Sequence, residues 1–300
     1  KTDAILKRWK SDPLIIHTQS ATEYWQRKGS LVHTDTRGND LDPPEGVRIY
    51  AWGSSEHFAD PKMTRPSKGP CQNFSNVVRT SFFCRASLDH LDLWVTQEIA
   101  PPPSRFPKRS DGTLVDGPEW QNQFPNIPGI AIPGGPAKLP LLDFGSEFEK
   151  GLLSLEPPQV LDTEGYPTLV PAVDDDGNDR GCLNAPMVLA PLATYTGWNL
   201  RARGQGHGAK YQFSGSTIPF PETPEERQVT ADPRASILER YPNAESYVEA
   251  VRAASRQLVE KRYMLEEDLE RTSNFRDAFL TPSMPPAENE MVLLFVLATS

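Results

Sequence analysis

Glu23 and His57 are the two residues whose types and settings best suit proton-transfer chemistry. Glu23 follows the apolar run Leu14-Ile15-Ile16, inside Thr22-Glu23-Tyr24-Trp25. His57 follows a second run, Val47 to Trp52, across Gly53-Ser54-Ser55-Glu56. Read as strands, both runs end in turns, and chemistry gathers at the carboxyl ends of strands in an open α/β sheet. An imidazole can act there as a general base. A carboxylate that holds its tautomer completes two thirds of a hydrolytic triad. Asp35 and Asp40 are rival acids, 22 and 17 positions before His57 (57 − 35 and 57 − 40). Glu23 is preferred because it directly follows its strand, although a first-turn Glu also suits the helix dipole without any function. The third member, a nucleophile on its own sharp turn, is missing. No Gly-x-Ser-x-Gly occurs, and Ser20, Ser54 and Ser55 lack that setting.

Other motifs read more simply as structure. Gly204-Gln205-Gly206-His207-Gly208 opens no helix after a strand, so it reads as a loop and not a phosphate cradle. Asp174 to Asp179 has its glycine at the wrong offset for a calcium loop, and no Glu closes it. It reads as a hairpin tip. His17, His33 and His90 show no ligand spacing, and His90, between Asp89 and Leu91, is expected to face solvent. Cys71, Cys84 and Cys182 show no metal spacing and do not fix a compartment. Neither a metal nor a cofactor is expected. Thr194 to Asn199 mixes aromatic and small polar groups, suiting either a pocket wall or an anchor for Trp198.

The elements that must position Glu23 and His57 follow in order. Thr2 to Lys10 reads as the tail of a helix, and Pro13 to Thr18 as the first strand. Ala21 to Val32 suits a short helix, with Thr22 as N-cap. Val47 to Trp52 is the second strand. Val77, Ser81, Cys84, Leu88, Leu91 and Val95 step by 4, 3, 4, 3 and 4, which predicts one buried helix stripe capped at Ser75 and stopped by Pro101-Pro102-Pro103. This order is the ending of an α/β sheet built from crossover units. From Arg105 to Phe220 proline and glycine recur every few residues, with short strand-like pieces such as Thr168 to Val170 and Met187 to Leu189. Thr223 to Thr272 is helical, its stripe Tyr247, Val251, Ala254 and Leu258 capped by Asn243. Asp277 onward is Pro-rich and loose, and Met291 to Leu297 is an apolar run that suits an edge strand or a product of truncated coding. The division is a sheet unit (1–105), an irregular accessory layer (106–220) and a helical segment with a tail (221–300).

The totals narrow the partners. The 300 residues suffice for one large domain or two smaller ones. The 30 prolines are about twice the ordinary share, which fits long turn-rich stretches. A net charge of −9 argues against nucleic acid and anionic membrane, which both need a basic face. No apolar run reaches the ~20 residues of a membrane helix. The chain starts at Lys1 without a signal-peptide pattern, which suggests a fragment or a processed product.

Several of these stretches resemble one family. Thr22 to Trp25, Val47 to Tyr50 with His57, Trp94-Val95 with Pro101 to Arg105, Leu169 to Val173, Pro191 to Asn199 and Gly215-Ser216 are similar to the C-terminal half of bacterial "alpha/beta hydrolase domain-containing" proteins. The resemblance spans most of Pro13 to about Thr272. It implies an α/β fold, specifically the last strands of an α/β-hydrolase sheet. It also implies an ester or related acyl hydrolase with a small-molecule ester substrate, using Ser, an acid and His. Glu23 and His57 fall in the acid and base positions. The half carrying the nucleophile elbow and oxyanion donors is absent, so the missing N-terminal half is the expected partner and the chain alone is expected to be inactive. Half a sheet, with an open strand edge, is also expected to aggregate. The alternative is a non-enzymatic fold remnant or a partner-binding module.

Overall fold

The computed structural model describes residues 8, 11–58, 66–162 and 165–271. The elements in order are β1 (Ile15–Ser20), α1 (Ala21–Gln26), β2 (Val47–Trp52), β3 (Phe74–Ser75), α2 (Ser81–Gln97), β4 (Leu114–Val115) and α3 (Gly117–Gln123). There follow β5 (Leu141–Asp143), β6 (Gln159–Asp162), β7 (Val170–Pro171), α4 (Pro186–Leu189), β8 (Ala193–Thr196) and β9 (Ser216–Pro219). Helices α5 (Pro224–Thr230), α6 (Ile237–Arg240), α7 (Ala244–Glu260) and α8 (Asp268–Arg271) close the described chain. Most of Thr2 to Lys10, and all of Asp277 onward with Met291 to Leu297, lie outside the described residues.

β1 and β2 pair in parallel, Ile15 opposite Val47 through Ser20 opposite Trp52. β1 begins two residues later than expected and runs to Ser20, because the backbone of Ile15 donates to Gly46 (2.9 Å) and the ladder continues to the helix cap. β2 is covered on both faces, as parallel strands usually are. Val47, Ile49 and Ala51 join one apolar cluster, and Tyr50 joins another. The far edge of β2 is closed by single parallel bridges to Arg105 and Leu183. β1 has a strand neighbour on one side only among the described residues. The remaining strands are short and antiparallel: β3-β9-β8, β4-β7 and β5-β6.

The larger cluster joins distant parts of the chain. Trp25, Trp120 and Trp198 are fully buried and meet edge to face, with centroids 4.7, 6.1 and 6.0 Å apart. Such pairs add to the area they bury.

Several expected details differ. α1 stops at Gln26 and a separate 3₁₀ turn covers Gly29 to Val32, because Lys28 adopts a left-handed conformation (φ 56°). The cap of α1 is Ser20, and Thr22 is buried inside the helix. The expected stripe of α2 does not face the core. Leu88 and Val95 are exposed, as are Ser81 and Cys84, while Phe82, Phe83, Ala86 and His90 are buried. Two adjacent phenyl rings bring more apolar surface than that stripe and set the rotation of the helix. Its cap is Thr80 and not Ser75. His90 is buried, with its ring nitrogens against Arg262. Met187 to Leu189 lies in a short helix. The C-terminal helical region is four helices separated by turns. In α7, Tyr247, Val251, Ala254 and Leu258 are buried and Asn243 caps the helix, as the spacing predicts.

Candidate active site

The acid is set by the end of β1. Ser20 and Glu23 form a capping box, in which a short polar side chain and an N3 carboxylate satisfy each other's orphan donors. One oxygen of Glu23, Oε2, accepts from the Ser20 backbone N–H (2.7 Å) and from the Ser20 hydroxyl. This anchors the carboxylate and leaves Oε1 free.

The imidazole is set by the turn after β2. Gly53 admits no side chain, since a β-carbon would lie 2.1 Å from Asn184 Oδ1 and 2.7 Å from Cys182 Cβ. Ser54 is left-handed (φ 54°), a conformation held from outside. Its N–H donates to Asp179 Oδ2 (2.6 Å), its Oγ accepts from the Asp179 N–H (2.8 Å), and its carbonyl accepts from Asn76 Nδ2 (2.8 Å). Ser55 donates to the Trp52 carbonyl (2.8 Å). Ser54 and Ser55 are therefore turn-holding residues with no exposure.

These two turns bring Glu23 and His57 into hydrogen-bond contact, His57 Nδ1 on Glu23 Oε1. With Nδ1–H donating, Nε2 carries the lone pair. The side chains are 19% and 40% exposed, so the pair is reachable from solvent. Both line a cleft of about 320 Å³, with His17, Gln19, Arg27, Trp52 and Glu56 on its walls. Phe58 and Phe213 flank the imidazole, at 4.8 and 4.7 Å between centroids. Burial lowers the pKa of His17, which favours its neutral form.

The rival acids are occupied elsewhere. Asp35 closes its own loop, accepting from the backbones of Arg37 and Asn39 (2.8 Å each) and from Asn39 Nδ2 (2.9 Å). Asp40 accepts from the backbones of Arg109 and Ser110 (2.9 Å each).

Three contributors were not singled out from the sequence. Glu56 is buried beside His57 and accepts from the Gly215 N–H (2.9 Å) and the Ser214 hydroxyl (3.3 Å). Burial pushes its carboxyl up to about 7. Asp179, under Ser54, is likewise pushed up to about 7 by burial. Phe213, against the imidazole, also has a left-handed backbone (φ 64°). Each partner lies more than a hundred residues away in sequence, so no local signal marks it.

The remaining motifs fall as follows. Asp174 to Asp179 is a hairpin tip, bridged at Val173 and Asp179, with Asp176 paired to Arg240. Gly204 to Gly208 is a loop closed by the Leu200–Lys210 bridge. Trp198 is an anchor in the core, and Asn199 Nδ2 bonds the carbonyls of Asn73 (3.1 Å) and Gly215 (3.1 Å). His33 Nε2 is hydrogen-bonded to the Tyr24 hydroxyl (2.8 Å), and burial lowers the His33 pKa to about 4.

No helix among the described residues is long and apolar enough to cross a membrane. No curated protein and no solved structure matches the chain. A family model described as "Alpha/beta hydrolase domain" matches residues 7–274. That match spans nearly all of the sequence, and the chain belongs to the alpha/beta hydrolase domain family.

Proposed function

We propose that this chain supplies the general base and its orienting acid to a serine-type carboxylic-ester hydrolase. The observation that carries the reading is the contact of His57 Nδ1 with Glu23 Oε1 at the ends of two adjacent parallel strands. The nucleophile and oxyanion-hole donors come from a part of the sheet outside these 300 residues. The one-sided pairing of β1 among the described residues and the exposed Leu88 and Val95 of α2 support that arrangement.

In the reaction, His57 Nε2 takes the proton of the seryl hydroxyl as its oxygen attacks the ester carbonyl. Glu23 holds the ring in the tautomer that leaves Nε2 free and stabilises the imidazolium that forms. Backbone N–H groups hold the oxyanion. His57 then returns the proton to the departing alcohol. Water attacks the acyl-enzyme, with His57 again as base, and releases the acid. The substrate is a small-molecule ester.

The test is His57→Ala in the protein that carries both halves of the site. Ester turnover is expected to fall by at least about 10⁴, with an unchanged circular dichroism spectrum. Unchanged turnover refutes the assignment. This chain by itself is expected to resist labelling by a serine-directed phosphonate.

A further inference from the structure

A single hydrogen bond does not fix a ring. The bond from His57 Nδ1 to Glu23 holds one nitrogen and lets the imidazole pivot about that line. A base must aim its other nitrogen, so something else has to define the ring plane. From the geometry we infer that Phe213 is the positioning residue for His57. This inference rests on the role proposed above for His57.

The Phe213 ring lies 4.7 Å from the imidazole, its plane tilted by 33°. Its own position is fixed by two neighbours besides the imidazole. Arg27 sits over the ring at 4.5 Å, and Phe58 meets it edge-on at 5.2 Å. The backbone is clamped as well. The Phe213 N–H donates to Gln26 Oε1 (3.0 Å), and Gln26 Nε2 donates to the Tyr211 carbonyl (3.0 Å). On the other side Glu56 accepts from Ser214 and Gly215. Gly215 admits no side chain, because a β-carbon would lie 2.1 Å from the Thr196 carbonyl.

The clamp ties together the two turns that matter. Gln26 lies on α1, one turn beyond Glu23. Glu56 immediately precedes His57. The segment from Tyr211 to Gly215 is therefore bonded both to the helix that carries the acid and to the turn that carries the base. Its one large apolar side chain between those anchors lies against the imidazole. Phe213 is left-handed, a conformation that residues with a β-carbon seldom adopt and that persists only where the surroundings enforce it. The strain delivers the ring to the imidazole face.

The experiment reads the imidazole and needs no substrate. In the full chain labelled with ¹⁵N-histidine, His57 is assigned by His57→Gln, and solvent exchange of its Nδ1–H is measured by NMR. Glu23→Gln removes the hydrogen-bonded signal as a control. Phe213→Leu is expected to speed exchange about tenfold, the upper end of what an aromatic pair contributes. Phe213→Trp restores slow exchange. Near-ultraviolet circular dichroism from the buried tryptophans checks that each variant is folded. Should Phe213→Leu fail that check, Gln26→Met removes the backbone clamp and is expected to speed exchange in the same direction. Unchanged exchange in the folded variant, or no slow signal in the unsubstituted chain, overturns the inference. A wild-type chain with the expected exchange pattern but without ester turnover in the complete protein would defeat the functional reading and leave the positioning role standing.

Discussion

Asp179→Asn tests how the turn beneath His57 is held, through stability alone. Asp179 is 5% exposed, and its carboxyl is pushed from 3.8 to about 7 by burial, against the Ser54 N–H that favours the charged form. The native state therefore keeps a proton that the unfolded chain loses above about pH 4. Stability must fall as pH rises from there to about pH 7 and then level off, because the native state binds more protons throughout that window. A shift of about three units at 1.36 kcal/mol per unit comes to about 4 kcal/mol. Asparagine cannot ionise, and its amide oxygen still accepts from Ser54. The substitution should be near neutral at about pH 4 and stabilise by up to about 4 kcal/mol at about pH 8. Glu56 and His33 also titrate differently in the folded state, but both are present in each protein and cancel in the difference. The assay is urea unfolding followed by tryptophan fluorescence, at matched pH values across that range. A stability difference independent of pH, or one that grows toward acid, would refute the protonated-carboxyl account.

Three further outcomes are expected. Glu23→Gln should lower ester turnover in the complete protein by about 10³ to 10⁴. The amide oxygen can still accept from the Ser20 backbone, so melting should move little. Trp198→Ala should cost about 3–5 kcal/mol in urea unfolding, since the ring is fully buried and meets Trp25, Trp120 and Phe124. On α2, Phe83→Ala should cost a similar amount, whereas Leu88→Gln should stay within about 0.5 kcal/mol. The reverse pattern would mean that α2 is rotated as its spacing suggests.

Legibility followed range. β2 was legible because Val47, Ile49 and Tyr50 form a run bounded by turn residues, and α7 because its stripe and its Asn243 cap agree. The buried face of α2 is not legible, because spacing marks a period and not a phase. Two stripes share the period there, and the one with Phe82 and Phe83 is buried. His90 reads locally as a solvated residue because its partner, Arg262, lies 172 positions away. The site divides in the same way. Glu23 and His57 each follow a recognisable strand, so they could be picked out locally. Glu56, Asp179 and Phe213 act through contacts to Gly215, Ser54 and His57, formed only when the irregular middle of the chain folds back on the sheet.

The two readings of Glu23 turn out not to compete. A Ser20-to-Glu23 capping box needs only the helix, and it would form if position 57 held any residue. Its presence alone therefore says nothing about chemistry. A carboxylate has two oxygens, however, and the box engages Oε2. An unassisted surface Glu samples several rotamers, and holding it against an imidazole would carry an entropic penalty. Here the cap has already removed that freedom. The remaining oxygen faces one direction, and the imidazole at the end of the neighbouring strand lies there. The helix cap holds the partly buried Glu23 carboxylate in place, so the contact with the imidazole asks for little further ordering.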